Sequence, residues 1–346
     1  MTTNSKYRFR DLCPGHQEHV KKDYEILLSG VPVSLWHSHL FLSGPIDSIS
    51  RRHKIQVSQH VATSSTLFSY TGKLIPKPME FALQSTISPA LRHVVQRFWQ
   101  VDRRNGKLVR ETIIPKGSVE IIFNLQDDSY AIPAAIKGHE HKLPRCFISG
   151  FHTVPINLQI PGRQLFFGIF INPTALKKIF RVQGMDYVNR CIDLALIDPS
   201  MNSLWHQLAE DRTFEERISI FTDWVMKRLP DATAHEKLFD QFLTSISTSP
   251  TSADEVSKLL CYSPRHLSRK LYELTAMNLE QTLLYRRYLR AIDLMHHSTL
   301  QLTEIAYTCN FSDQSHFTKT FRSYAHMKPK EYRAAKSHVS GHIFAA

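Results

Sequence analysis

The chain is predicted to be an α+β protein, with a β-rich, barrel- or sandwich-like N-terminal domain followed by an all-α C-terminal domain. Three observations carry that reading. Short β-branched and aromatic runs, punctuated by Gly, Pro and polar turns, fill residues 81–172. From Asn172 the apolar residues fall instead at the helical i, i+3, i+4, i+7 spacing. Finally, one helical surface is written twice, fifty positions apart, in CYSPRHLSRKLYE (261–273) and NFSDQSHFTKTFRSY (310–324).

Size and charge bound the function classes. A length of 346 residues is enough for two domains that each bury a core, and 42% hydrophobic content is ordinary for a soluble globular protein. The formal charge of +12 implies an anionic partner, with nucleic acid ahead of a membrane surface. Bulk charge does not locate the site, because residues 235–346 hold 14 Lys+Arg against 10 Asp+Glu, a density like that of the remainder. The five cysteines are scattered and never form a CxxC pair, which argues against a disulfide framework or a structural zinc. MTTNSKYRFRDL lacks an apolar signal core, and no apolar run approaches a membrane span, so a cytoplasmic location is expected.

Taken in order, residues 1–79 are mixed in texture and receive no fold assignment. Residues 80–228 form the β-rich domain. Its expected strands are FWQV, ETIIP, SVEIIFNL, CFISG, INLQI and LFFGIFI, followed by helices over NPTALKKIF, SLWHQLAED and ERISIFTDWVMKRL. LPDATAHE (229–236) breaks the helical period with a Pro and small polar residues, and is read as a linker. Residues 237–336 are helical, and 337–346 are a tail.

Inside the helical part the duplication becomes intelligible. Ser252-x-x-Glu255 is a capping box that opens one helix, whose apolar face is Val256, Leu259 and Leu260. A turn at Cys261–Ser263 follows, and Ser263-Pro264 supplies a cap and first helical residue for the next helix. That helix buries Leu267, Leu271 and Leu274 and presents Arg265, Ser268, Arg269 and Tyr272. In the second copy Ile305 and Cys309 form the first face and Asn310–Ser312 the turn. Phe317, Phe321 and Tyr324 are buried there, while Ser315, Thr318, Lys319 and Arg322 project. Two helices joined by a tight turn, the second with a polar and basic outer face, make a helix-turn-helix whose second helix fits a DNA major groove. An amphipathic helix with a basic face is usually only a solvated face. Two copies with one polar pattern are instead what two readers of one regular polymer require. Residues 280–297 read as a single connecting helix about 27 Å long at ~1.5 Å per residue, to be set against the ~34 Å repeat of successive major grooves.

These residues resemble the AraC-type transcription regulators, whose DNA-binding domain holds two helix-turn-helix units joined by a long helix. The likeness rests on SPRHLSRKL (263–271), Arg287, Ala291, LTEIA (302–306), FSDQSHFTKTFRSY (311–324) and KPKEYR (328–333). It extends more weakly upstream, where FWQVDRRNG, IIPKGSVEIIFNL, FISGFHTVPINL and GIFINPTAL are similar to a β-rich sensor domain of a subset of these regulators. The resemblance implies double-stranded DNA as partner, with base contacts at Arg265, Ser268 and Arg269 in the first unit. In the second unit they fall on Gln314, Ser315, Thr318 and Lys319, and Arg322 projects from the same face. It also implies RNA polymerase and a second copy of the chain as further partners, and no cofactor. Four positions where the family prefers Gly carry Cys261, Ala276, Asn310 and His326, and Leu279 stands where Pro is usual. If the backbone there is left-handed, Cys261 and Ala276 each cost of order 1 kcal/mol, Asn310 and His326 less. The first unit is therefore expected to be the less stable one.

Other chemistry is weaker. Trp36-His37-Ser38-His39 and His139-Glu140-His141 place two imidazoles on one face of a strand, the start of a metal clip, and frame the alternative of a metal-dependent cupin-like enzyme with a helical interaction domain. No downstream acidic ligand follows either pair. Cys146 and Cys191 read as core thiols, since no base can be placed beside them. Strand alternation puts Phe166 and Phe170 on one face and Phe167 on the other. Phe166 and Phe170 then either line a pocket for a small apolar or aromatic effector or belong to a packed core. The function read from the sequence is a sequence-specific, DNA-binding and effector-responsive transcription regulator without enzymatic activity.

Overall fold

A computed structural model describes residues 80–345 apart from 104–106, 127–131, 229–230 and 246–251. The unassigned segment 1–79, with its Trp36–His39 pair, lies outside the described residues.

The β-rich part is a two-sheet sandwich rather than a closed barrel. Strands β1 (Glu80–Gln84), β2 (Val95–Arg103), β9 (Gln164–Ile171), β4 (Glu120–Asn124), β7 (Cys146–Ser149) and β10 (Cys191–Asp193) lie in that order in one antiparallel sheet. The second sheet has the order β11 (His342–Ala345), β3 (Val109–Ile113), β8 (Ile156–Ile160), β5 (Pro133–Ile136) and β6 (His139–Lys142). Every strand quoted from the sequence is present. The β5–β6 hairpin was not anticipated: PAAI and HEHK lack β-branched alternation, and its turn uses Lys137 and Gly138, both at positive φ (53° and 77°).

Alternation along β9 decides what each face of the first sheet buries. Phe166 packs between the sheets against Ile132, Leu158 and Ile160. Phe167 points the other way, stacking on Phe98 at 6.0 Å and meeting Phe214 edge-on at 6.2 Å. That outer face is covered by α3 (Ser200–Ala209) and α4 (Phe214–Met226), which contribute Leu204, Leu208, Phe221 and Trp224. Each such side chain stabilises by about 1.5–3 kcal/mol on burial. In chain order, α1 (Pro173–Phe180) and the single turn α2 (Gly184–Tyr187) come between β9 and these helices.

The helical domain starts earlier than composition suggested. Thr233 caps α5 (Ala234–Thr244), its side chain accepting from the Glu236 backbone N–H (3.2 Å), so the irregular stretch ends at Thr233. The first unit is α6 (Ala253–Leu260) and α7 (Pro264–Thr275); α8 (Leu279–His297) connects it to α9 (Leu302–Thr308) and α10 (Gln314–Ala325), followed by α11 (Pro329–Ala335). The two units are buried differently. The first has its own core of Phe239, Phe242, Val256, Leu260, Leu267, Leu271 and Leu274. The second shares one continuous core with the sandwich, through Tyr285, Tyr288 and Leu289 of α8. Tyr285 is wedged between them, its hydroxyl donating to the His152 carbonyl (2.8 Å) and accepting from the Gly117 N–H (3.0 Å). Gly117 has φ +71°, a conformation that favours Gly, and a Cβ there would press on the tip of the Leu289 side chain of α8 at 2.3 Å.

The tail is not a loose end. His342–Ala345 adds to the edge of β3, and His342 Nδ1 meets Glu111 at 2.5 Å, with Lys116 Nζ 3.4 Å from the other ring nitrogen. Among the described residues no helix is long and apolar enough to cross a membrane.

Candidate nucleic-acid interface

Local sequence explains why α7 and α10 begin where they do. The Ser263 hydroxyl accepts from the His266 N–H (3.4 Å) with Pro264 at the first helical position. The Asp313 carboxylate does the same for His316 (2.8 Å), and that bond, with one from the Ser312 hydroxyl, holds its pKa below the usual carboxylate range. The capping box Ser252–Glu255 is formed at α6, with the Ser hydroxyl 3.2 Å from the Glu255 amide. All four positions where Gly is expected are left-handed: Cys261 (φ 52°), Ala276 (58°), Asn310 (59°) and His326 (55°). The backbone requirement is thus kept by residues that resist it.

The buried faces match expectation closely. Leu267, Leu271, Phe317 and Phe321 are fully buried and Leu274 nearly so. Tyr324 is only half-buried, since its ring lies across Tyr285 (5.1 Å) and Tyr288 (4.8 Å) at the domain margin.

Opposite these faces the polar residues stand out as two stripes. Arg265 and Arg269 are exposed on α7, and Arg269 Nη2 rests 3.3 Å from His266 Nε2. Ser268 is half-buried, and its hydroxyl is engaged with the backbone N–H of Leu279 (3.3 Å). On α10, Gln314, Ser315, Lys319 and Arg322 are exposed and Thr318 is half-buried. Gln314 Oε1 accepts from Thr303 on α9 (2.9 Å), which orients its amide along the stripe. The α10 residues line one wall of a shallow concavity, to which Ser323 and Lys328 contribute. Sequence reasoning missed those two. Lys328 lies in the quoted KPKEYR segment, but nothing in helical periodicity places a residue from the next turn beside α10.

The first stripe is also framed by the β-rich domain. Lys177 on α1 pairs with Glu273, and the Tyr187 hydroxyl donates to the Leu274 carbonyl. A Cβ on Gly184 would lie 2.4 Å from the Ala276 nitrogen. Tyr272, 47% exposed, donates its hydroxyl to Met185 Sδ at 3.3 Å. The N-terminus of α1 meets α5 through Asp240, whose buried carboxylate accepts from the Thr174 N–H (3.1 Å) and hydroxyl; burial pushes its pKa up to about 7.

Elsewhere, the Phe170 ring lies under the Arg97 guanidinium at 4.0 Å with Lys116 5.6 Å away, and Phe166 sits in the inter-sheet cluster. Neither lines the α10 concavity. His139 is exposed on β6, and among the described residues no three His, Cys, Asp or Glu side chains gather where a metal could be held. Cys146 is buried beside Met201, and burial raises its thiol pKa well above normal.

Comparison with known proteins agrees with this division. Residues 256–335 match a family model described as a helix-turn-helix domain, and residues 86–193 match a domain of unknown function, DUF6597. The transcriptional activator RhaS of Escherichia coli (strain SE11) is 34% identical over 83 residues, covering 24% of this chain and 30% of RhaS. The shared region is therefore less than a third of that relative. Among solved structures, ToxT from Vibrio cholerae overlaps 68% of this chain and 98% of its own at 14% identity, with a TM-score of 0.39. A regulator from Chromobacterium violaceum, described as having an AraC-type DNA-binding domain, is 28% identical over 25% of this chain and 76% of its own, with a TM-score of 0.24.

Proposed function

From the premise that residues 256–335 are an AraC-type helix-turn-helix domain, we propose that the whole chain is a sequence-specific transcription regulator that reads duplex DNA with α7 and α10. The observation that carries this is the stripe written twice: Arg265, Ser268 and Arg269 recur fifty positions on as Ser315, Thr318 and Lys319, exposed or half-exposed in both copies. Long donors and hydroxyls on one helical face suit the edges of bases in a major groove. The connecting helix, 19 residues long, spans about 28 Å at ~1.5 Å per residue. That falls somewhat short of the ~34 Å groove repeat, so the bound duplex bends toward the protein or one contact is the looser.

In this reading the sandwich supplies the signal. Phe166 and Phe170 mark the inter-sheet region that would enclose a small apolar or aromatic effector, with Arg97 and Lys116 beside it. A second copy of the chain and RNA polymerase complete the set of partners, and the site of action is the cytoplasm. The test is selection of bound sequences from a random duplex pool with the full chain, followed by footprinting. One enriched sequence should emerge, protected in two short patches about 10 base pairs apart on one side of the duplex. Failure to enrich any sequence overturns the proposal.

A further inference from the structure

The concavity beside α10 has a feature that the stripe alone does not explain. Its lining includes Gln314, Ser315, Thr318 and Lys319, and towards the C-terminal margin of the helix and beyond it also Arg322, Ser323 and Lys328. Among the described residues no carboxylate lines it. Glu331, three residues beyond Lys328, turns back to accept from the Lys328 backbone N–H (2.7 Å), and Lys328 itself is exposed. The Ser323 hydroxyl is committed as a donor to the Thr320 carbonyl (2.8 Å). The margin therefore offers two cations from two different elements, one at the end of the reading helix and one on the turn after it.

The internal repeat supplies a control within the same chain. Fifty positions earlier, Arg322, Ser323 and Lys328 correspond to Tyr272, Glu273 and Asn278. Tyr272 is in contact with Met185, Glu273 is bound to Lys177 and Lys270, and the Asn278 side chain caps α8 by accepting from the Gln281 N–H (2.9 Å). The base-facing positions are thus duplicated, and the cationic margin is not. A residue that reads bases must recur wherever bases are read, whereas a grip on the backbone is needed once per anchored unit.

We propose that Arg322 and Lys328 form a seat for the DNA sugar-phosphate backbone flanking the groove read by α10, and that only the second unit has such a seat. The second unit then both reads bases and anchors the protein on any duplex, and the first, held against α1 and α2, adds further sequence preference without a backbone grip of its own. This rests on the DNA-binding reading, and the experiment separates the two.

The full chain is titrated with a mixed-sequence duplex and with the selected sequence over a range of salt. Each phosphate contact contributes about 0.9 to the slope of log affinity against log salt. Arg322→Ala and Lys328→Ala should each weaken both duplexes to the same degree. Between about 50 and 200 mM salt each variant should lose about three- to fourfold less affinity than the wild type. Lys328→Gln, which keeps length without charge, should behave like Lys328→Ala and guards against a folding artefact. Tyr272→Arg and Asn278→Ala, at the first-unit positions, should not reduce the slope. An unchanged slope in Arg322→Ala and Lys328→Ala, with Lys319→Ala still weakening the selected sequence more than the mixed-sequence duplex, overturns the seat and leaves the DNA reading intact. A wild type that binds neither duplex with any salt dependence overturns the DNA reading itself.

Discussion

The hydroxyl of Ser268, in the middle of the first reading helix, accepts a hydrogen bond from the backbone N–H of Leu279, the first residue of α8, at 3.3 Å. The two facts explain each other. A Pro at position 279 would have no N–H to satisfy, and Leu279 creates a donor that no carbonyl within α8 can pair, because the first amides of a helix have no intrahelical acceptor. Ser268, drawn from the sequence as a base reader, therefore also supports the α7–α8 corner through one lone pair, and its O–H remains a donor for the proposed base contact.

Ser268→Ala should cost about 1 kcal/mol of stability, the size of a lost hydrogen bond with its donor left behind. In a Leu279→Pro background the same change should cost nothing measurable, because the donor is gone. Urea unfolding of the two singles and the double gives the coupling directly. Equal costs in both backgrounds would show the bond to be inconsequential.

The left-handed residues predict a gain rather than a loss. Cys261→Gly and Ala276→Gly should each stabilise the first unit by about 1 kcal/mol, while Asn310→Gly should gain distinctly less, since Asn tolerates positive φ. Hydrogen exchange of α6 and α7 amides reports on this unit separately, as its core is distinct from the rest. Faster exchange in the Gly variants would contradict the strain argument.

Asp240 sets a pH dependence. Its carboxyl is raised by burial from the ordinary aspartate range to about 7, so between those two values the folded chain holds a proton that the unfolded chain has released. Its contribution is complete at acid pH and is lost as pH rises toward and through 7. Asp240→Asn keeps an acceptor for the Thr174 N–H, and should flatten the stability profile between about pH 4 and 7. It should leave the variant more stable than wild type at pH 8 by on the order of 1–3 kcal/mol. Chemical denaturation at pH 5 and pH 8 checks the sign. A variant less stable at both would mean that the carboxylate is held ionised.

The stripes should be unequal in use. Lys319→Ala and Arg269→Ala should each weaken the selected sequence by about 1–3 kcal/mol and affect random duplex much less. Ser315 and Lys319 changed together should abolish the specific footprint, whereas Arg265 and Arg269 changed together should leave a weaker footprint that still favours the selected sequence. Chemical footprinting of both doubles decides it, and the reverse order would assign the anchoring role to the first unit.

Much of this architecture was legible from residue patterns. Helical period and capping chemistry are local, so α6, α7 and α10 begin at the Ser and Asp residues that cap them, and Leu267, Leu271, Phe317 and Phe321 are buried as spacing implies. What escaped was set by distant partners. Strand β11 has four residues and acquires meaning only against β3. Lys328 joins the α10 wall through a turn, and Ser268 is occupied by an amide eleven residues away. Nothing in the helical period of α5 marks Asp240 as buried, because its partner, Thr174, is 66 residues away.

The return of β11 to β3 in the second sheet carries a consequence for synthesis. Glu111 and His342 meet although 231 positions separate them, so the second sheet cannot be completed while the DNA-reading helices are still being translated. Until the last strand leaves the ribosome, β3 remains an open edge bearing a carboxylate with no imidazole opposite it, and open edges are where nascent chains pair wrongly with one another. The helical units are rich in local contacts and can form during that interval. Because β11 follows α7 and α10 in the chain, it can close on β3 only after those helices have been made.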